Sequence, residues 1–253
     1  MKQQIKKHNK LWIRIIGKLI WWNEKILFYP KLKNFYLNNL NNSELLIIDV
    51  GANKGQSIEF FSSIHANVHI HSFEPNKTLF TNLKQNYGSN SKITLLNYGV
   101  SDKIGTSMFY ENVLDETSSL EKINPNSKYL DRKAKVLGIK KENIIVDQYH
   151  INVITLNSYI NTIQNKTVDV LKIDVEGHEL SCLKGLFIEK SHTVPVKFIQ
   201  LECHRDDMYL NNIKHEEIHD LLQENGFKKV TEIKHGFGNF FEIIYVNKIN
   251  YEA

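Results

Sequence analysis

Two groups of residues in this 253-residue chain have the types and spacing that chemistry needs. The first lies in Leu46-Ile47-Ile48-Asp49-Val50-Gly51-Ala52-Asn53-Lys54-Gly55, an apolar run leading into a glycine-bearing turn. Such a turn at the head of a helix lets backbone N–H groups approach a ligand at a positive terminus. Further on, His71-Ser72-Phe73-Glu74-Pro75 ends a second apolar run on a carboxylate, which can accept from both hydroxyls of a ribose. The second group is Asp174, Glu176 and His178, joined by Glu202 and His204, whose spacing points them to one side of a strand. Carboxylates and imidazoles gathered in this way take a proton from a reacting hydroxyl. Each group also has a purely structural reading. Glu74 could cap the helix after Pro75, Asp49 could complement a helix terminus, and Glu176 and Glu179 could complement a helix dipole. For Glu179 the structural reading is preferred. His69 and His71 lack further ligands at suitable spacing and read as partly buried strand residues.

The ligand of the first group follows from what the turn lacks. A dinucleotide turn reads G-x-G-x-x-G, and the second glycine, which makes room for pyrophosphate, is Asn53 here. A ligand with an amino-acid end fits better, its carboxylate on the turn amides of Gly51 to Gly55 and its ammonium on Asp49. Glu74 would then hold a ribose. A nucleoside joined to an amino acid is S-adenosylmethionine. An NAD-dependent oxidoreductase fits the strand, turn and Glu74 but not Asn53, and a non-catalytic nucleoside-binding module leaves the second group without a use. Methyl transfer from a sulfonium is an in-line displacement, so the second group would align an acceptor and remove its proton. A Mg²⁺ ion among Asp174, Glu176 and Glu202 would lower the pKa of an acceptor hydroxyl. Direct contact of those carboxylates with acceptor hydroxyls is the preferred reading, so no residue is assigned as a metal ligand.

The elements that must position these groups alternate as in βαβ units, the pattern of a parallel sheet. Strands are expected at Leu45–Val50, Val68–Phe73, Ile93–Val100, Val168–Ile173 and Val196–Glu202. Helices are expected over Lys54–His65, Asn76–Tyr87, Leu156–Ile163, Glu179–Leu186 and Lys214–Asn225. Lys228–Lys234 and Phe240–Val246 read as a closing antiparallel hairpin. The expectation is a doubly wound, seven-stranded α/β sheet. Residues 103–150 break the rhythm with a polar insertion suited to an acceptor lid.

The ordered pieces resemble the FkbM-type methyltransferases of the class I, Rossmann-like fold. They are Ile48 to Gly55, Phe73-Glu74-Pro75, Asn97-Tyr98-Gly99-Val100-Ser101-Asp102, Ser118-Ser119-Leu120, Leu171 to Glu179 and Gln200-Leu201-Glu202. The resemblance implies that Asp49, Gly51, Asn53, Gly55 and Glu74 hold the donor and that Val100, Ser101 and Asp102 lie beside its adenine. Gly99 stands where the family customarily has Ala. The resemblance also implies O-methylation of a small polar acceptor: a sugar, a sugar nucleotide or a phosphoramidate-type precursor of a surface polysaccharide. A peptide or lipid acceptor is the alternative.

Charge and cysteine content narrow the class further. The net charge is +4, but residues 1–44 carry nine Lys or Arg against Glu24 and Glu44, so the remainder is net acidic. A catalytic domain without a basic stripe argues against a nucleic-acid partner. The two cysteines favour a reducing, cytoplasmic setting. Residues 1–44 read as a basic helical appendage to a catalytic domain at 45–253. Trp12, Ile16, Leu19, Trp22 and Ile26 recur at helical spacing opposite Lys7, Lys10, Arg14, Lys18 and Lys25. That helix either caps the acceptor cleft, the preferred reading, or makes a peripheral membrane contact through residues 1–30. Arg14 and Lys18 interrupt the apolar run too early for a signal peptide or a spanning helix.

Overall fold

The computed structural model describes residues 22–113, 117–163, 167–188, 195–204, 207–210, 215–236 and 240–248. Its frame is a seven-stranded sheet of β1 (Leu45–Val50), β2 (Val68–Phe73), β3 (Ile93–Leu96), β7 (Val168–Ile173), β8 (Val196–His204), β9 (Phe227–Lys234) and β10 (Phe240–Asn247). The order across the sheet is β3-β2-β1-β7-β8-β10-β9. The first five strands are parallel, and β10 runs antiparallel to both of its neighbours. This is the expected doubly wound α/β sheet with its terminal hairpin. The strand order reverses between β1 and β7, the place where open α/β sheets leave a crevice for ligands.

The central strands form because both of their faces are covered. Every residue of β1 and β7 is buried, so each reads as a continuous apolar run. Alternate side chains divide between two core layers. Leu46, Ile48 and Val50 face Leu180 and Leu183 of α6 (Glu179–Leu186) and Ile218 and Leu222 of α7 (His215–Glu224). Leu45 and Ile47 join Ile58 and Phe61 of α2 (Gln56–Ser62) and Leu83 of α3 (Lys77–Tyr87) in the other layer. The polar exceptions in these two strands are Asp169 and the register partners Asp49 and Lys172, all buried.

Residues 24–40, expected as part of an appendage, enter the second layer. A π-helical turn at Glu24–Phe28 leads into α1 (Tyr29–Asn39). Phe28, Leu32, Tyr36 and Leu40 pack with Val170, Phe198, Ile233 and Ile244 of the sheet. The buried Tyr36 hydroxyl donates to Gln200 Oε1 at 2.5 Å. Most of the predicted amphipathic helix, including Trp12, Arg14, Ile16 and Leu19, lies outside the described residues. Among those described, no helix is long and apolar enough to cross a membrane.

The expected third strand, Ile93–Val100, is two strands. After β3 the Asn97 side-chain amide donates to Glu74 O (2.8 Å) and Pro75 O (3.2 Å), and the chain leaves the main sheet. Gly99–Val100 then forms β4, which pairs with β6 (Ile145–Ile154) in a second sheet of order β4-β6-β5, with β5 at Gly105–Asn112. Residues 103–150 are thus an antiparallel ribbon with α4 (Lys128–Leu137) and a short 3₁₀ turn between its strands, where the sequence suggested irregular chain. Most of β6 is exposed, so its residues carry no apolar alternation to read. The fifth helix, α5 (Leu156–Ile160), is shorter than expected.

Candidate active site

The donor side is built at the carboxyl ends of β1 and β2. Gly51 has φ +93°, and a Cβ there would lie 1.9 Å from Asp174 O, so the turn can pass β7 only as glycine. Gly51 and Ala52 N–H donate to Phe73 O, Asn53 N–H to Glu74 Oε2 (2.8 Å), Lys54 N–H to Gln56 Oε1 and Gly55 N–H to Ala52 O. The expectation of turn amides waiting for a carboxylate therefore needs correction: each already has an acceptor within the protein. What the turn does leave open is acceptor capacity. The buried Asp49 accepts from Ser72 Oγ (3.1 Å) through Oδ2, while its Oδ1 and Asn53 Oδ1 have no hydrogen-bond partner. Burial pushes the Asp49 carboxyl up, against the opposing pull of Lys172 and Ser72. Buried acceptors without donors suit a ligand that brings donors, as an ammonium group does.

Glu74 bridges the two strand ends, its Oε1 accepting from Asn76 N–H (2.8 Å) while Oε2 holds Asn53. The capping of α3 belongs to Asn76, whose Oδ1 accepts from Thr78 and Leu79 N–H, and not to Glu74. Each Glu74 oxygen thus accepts one backbone N–H at the turn where the donor is expected. The adenine-side residues follow β4. Val100 and Ser101 are buried, Ser101 N–H donates to Ile154 O (2.9 Å), and Asp102 is exposed, its Oδ1 3.1 Å from Ser101 Oγ.

His178 joins this side. Its Nδ1–H donates to Glu121 Oε1 (2.7 Å), and its Nε2 lies 3.0 Å from Ser101 Oγ. Both ring nitrogens thus have protein partners, an arrangement that fixes the ring. Glu121 was not singled out in the sequence, although it directly follows the Ser118-Ser119-Leu120 block. Ser119 ties that block to the loop after β7 by donating to Glu176 O (2.7 Å).

The acceptor side gathers three of the predicted carboxylates. Asp174, Glu176 and Glu202 each offer an oxygen within 4.8 Å of the others. Glu176 sits at φ +56°, a left-handed conformation that costs a non-glycine residue about 1–3 kcal/mol. Tyr209 holds it there, its hydroxyl donating to Glu176 Oε2 at 3.0 Å. Gly177 follows at φ +91°, where a Cβ would meet the Tyr209 ring at 2.8 Å. Glu179 Oε1 accepts from the N–H groups of Gly177 (3.1 Å) and Val175 (3.3 Å), the structural role expected of it. Asp174 is paired with Lys172, Nζ to Oδ2 2.8 Å. Burial alone would lower the Lys172 pKa, but Asp174, Asp49 and Glu242 outweigh it and hold the ammonium charged. His204 ends β8, but its side chain and Arg205 lie outside the described residues.

Beside Glu202 lies a cluster the sequence reading missed. Glu242 of β10 is the register partner of Glu202, and His235 follows β9 with Nε2 3.8 Å from Glu242 Oε1 and 4.0 Å from Glu202 Oε1. Its Nδ1 is 3.0 Å from Glu24 Oε2, and its ring stacks on Phe28. Burial alone would lower the His235 pKa, but Glu24, Glu242 and Glu202 together push it up to about 10.

With this geometry described, comparison with known proteins decides the family. The family model for the methyltransferase FkbM domain matches residues 49–229, most of the chain. The chain belongs to the FkbM methyltransferase family. Membership makes it an enzyme, with S-adenosylmethionine as the implied methyl donor. The open acceptors of Asp49 and Asn53, beside the carboxylate of Glu74, fit that donor. No curated protein matches the chain. Among solved structures, the chain resembles the Methanococcus jannaschii fibrillarin pre-rRNA processing protein at 12% identity and TM-score 0.44, covering 82% of this chain and 68% of that one. The precorrin-6y C5,15-methyltransferase from Geobacter metallireducens has 12% identity and TM-score 0.42, with 85% of each chain covered. An rRNA methylase from Streptococcus thermophilus has 6% identity and TM-score 0.45, with 88% and 98% covered. These likenesses are distant, and the family assignment rests on the sequence match.

Proposed function

We propose that this FkbM methyltransferase moves a methyl group to a hydroxyl or phosphoryl oxygen of a sugar, sugar nucleotide or phosphoramidate-type precursor of a surface polysaccharide. The observation that carries this reading is the polar character of the acceptor edge, where Asp174, Glu176 and Glu202 converge and Tyr209 buttresses Glu176. A lipid acceptor would call for an apolar wall, whereas carboxylates and hydroxyls match a polyhydroxylated acceptor. Ser119 and Thr117 of the 103–150 insertion lie against the same edge, Ser119 donating to Glu176 O and Tyr209 to Thr117 O.

In this reading Asp49, Asn53 and Glu74 hold the donor, Gly51 and Gly55 shape the turn that approaches it, Val100, Ser101 and Asp102 border its adenine, and His178 with Glu121 positions Ser101. When bound, the donor supplies an electrophilic methyl on its sulfonium. Glu176 and Glu202 orient the acceptor and receive its proton, and Lys172 fixes Asp174 through their ion pair. His204 is assigned to the same acceptor group by its place at the end of β8. Catalysis of this kind depends on alignment and on a base within hydrogen-bond reach of the acceptor. The expected setting is cytoplasmic, with any membrane contact confined to residues 1–30. Incubation of the enzyme with labelled donor and separate pools of nucleotide sugars, phosphorylated precursors, peptides and lipids tests the reading. Label is expected in the sugar or phosphorylated pools, and label in peptides or lipids alone would overturn it.

A further inference from the structure

We propose that Glu202, Glu242 and His235 form a binding site for one divalent transition-metal ion, with Glu24 as the outer carboxylate that orients the imidazole. The two glutamates are directly opposite in the antiparallel β8–β10 register, so their side chains share one face of the sheet. Like charges in that relation repel, and Glu242 is only 3% exposed. Its Oε2 has no hydrogen-bond partner, and neither does His235 Nε2. A buried carboxylate oxygen that lacks a partner, set beside a second carboxylate and a ring nitrogen, is a ligand atom without an acceptor of its electron pair, and an ion bound there would take the place of the proton that the surrounding glutamates hold on His235. One ligand atom from each of the three residues lies within 4.8 Å of the others. Bonds of about 2.0–2.2 Å need donors roughly 3–3.5 Å apart, so the observed 3.8 and 4.0 Å separations close by a small rotation of flexible side chains.

The outer contacts point the same way. His235 Nδ1–H donates to Glu24 at 3.0 Å, the carboxylate–histidine arrangement that leaves Nε2 facing a metal. Stacking on Phe28, with centroids 4.0 Å apart, fixes the ring plane. One imidazole and two carboxylates suit Mn²⁺, Fe²⁺ or Zn²⁺ better than Mg²⁺, which favours oxygen alone. The neighbouring cluster of Asp174, Glu176 and Glu202 is the weaker host, because the Lys172 ammonium already sits on Asp174. Glu202 belongs to both clusters, so an ion here would border the acceptor edge. That adjacency to the reaction rests on the proposed function, whereas the metal site itself does not.

The test uses the full chain, stripped with chelator and titrated with Mn²⁺ while the free ion is followed by electron paramagnetic resonance, without donor or acceptor. One equivalent is expected to bind, with affinity at least about tenfold weaker in Glu242→Gln and in His235→Ala and unchanged in Glu176→Gln. Glu242→Gln preserves shape, so it decides the matter if His235→Ala fails to fold, and calorimetry with S-adenosylhomocysteine confirms that each variant is native. No Mn²⁺ binding, binding in both site variants as tight as in the parent, or a loss confined to Glu176→Gln would overturn the site. Mn²⁺ binding accompanied by methylation that is indifferent to the metal supports the site and removes the ion from the reaction.

Discussion

Asp49 and Glu74 carry the donor assignment through different chemistry, and their variants separate the two. Asp49 offers an unpartnered buried oxygen to a cation, and Glu74 is the carboxylate assigned to the ribose hydroxyls while also clamping the glycine turn. Asp49→Ala and Glu74→Ala are each expected to weaken S-adenosylhomocysteine binding by about 1–3 kcal/mol in calorimetry, because each leaves ligand donors without an acceptor. Unchanged affinity in both would remove the assignment. Tyr209→Phe deletes only the hydroxyl that holds Glu176 in its left-handed conformation. Turnover is expected to fall while affinity for S-adenosylhomocysteine stays within about twofold, and an equal loss in both would mean that Tyr209 serves the donor side. At this scale the sequence was informative wherever a residue type is rare for its context, as with a carboxylate ending an apolar strand. It was silent on Glu121, Tyr209, His235 and Glu242, because their partners come from distant elements and no local spacing marks them.

Among the elements, the ribbon and helix of residues 103–150 depend on contacts made from outside. Ser127 caps α4, and Asp207 reinforces that cap from across the loop by accepting from Ser127 Oγ (2.7 Å), Lys128 N–H (3.0 Å) and Tyr129 N–H (3.1 Å). Those donors pull the Asp207 carboxyl down from its ordinary 3.8 to about 2. A carboxyl depressed in the folded state contributes stability that is complete above its unfolded value and fades as pH falls through the folded one. Asp207→Asn is therefore expected to lower the urea midpoint above pH 4, with the difference from the parent vanishing as pH approaches about 2. A difference that persists at the lowest pH would assign the effect to packing. The central strands and the helices of the main sheet were legible because burial on both faces writes continuous apolar runs. The second sheet was not, because its strands are half solvated and its shortest, Gly99–Val100, is two residues long.

For the molecule as a whole, the first described helix belongs to the core. Leu32 is 2% exposed between the sheet and α2, so Leu32→Ala is expected to cost about 2–5 kcal/mol in thermal or urea unfolding. A cost below about 1 kcal/mol would mean that this helix only rests on the surface. The basic, amphipathic pattern of residues 1–30 drew attention to their charge, while the apolar stripe of Phe28, Leu32 and Tyr36 is what the sheet uses. Phe28 stacks on His235 and Tyr36 bonds Gln200, so residues 28–36 are held by β8 and the residue that follows β9. On the ribosome this has a temporal consequence. Helix α1 emerges with its aromatic face uncovered and waits for Phe198, Ile233 and Ile244 to be synthesised before it can dock. Contacts of such long sequence separation are late and slow to form. Nascent chains stalled before β8 should therefore display Phe28, Leu32 and Tyr36 to chaperones, and protease resistance of the N-terminal segment should appear only once β10 has cleared the exit tunnel.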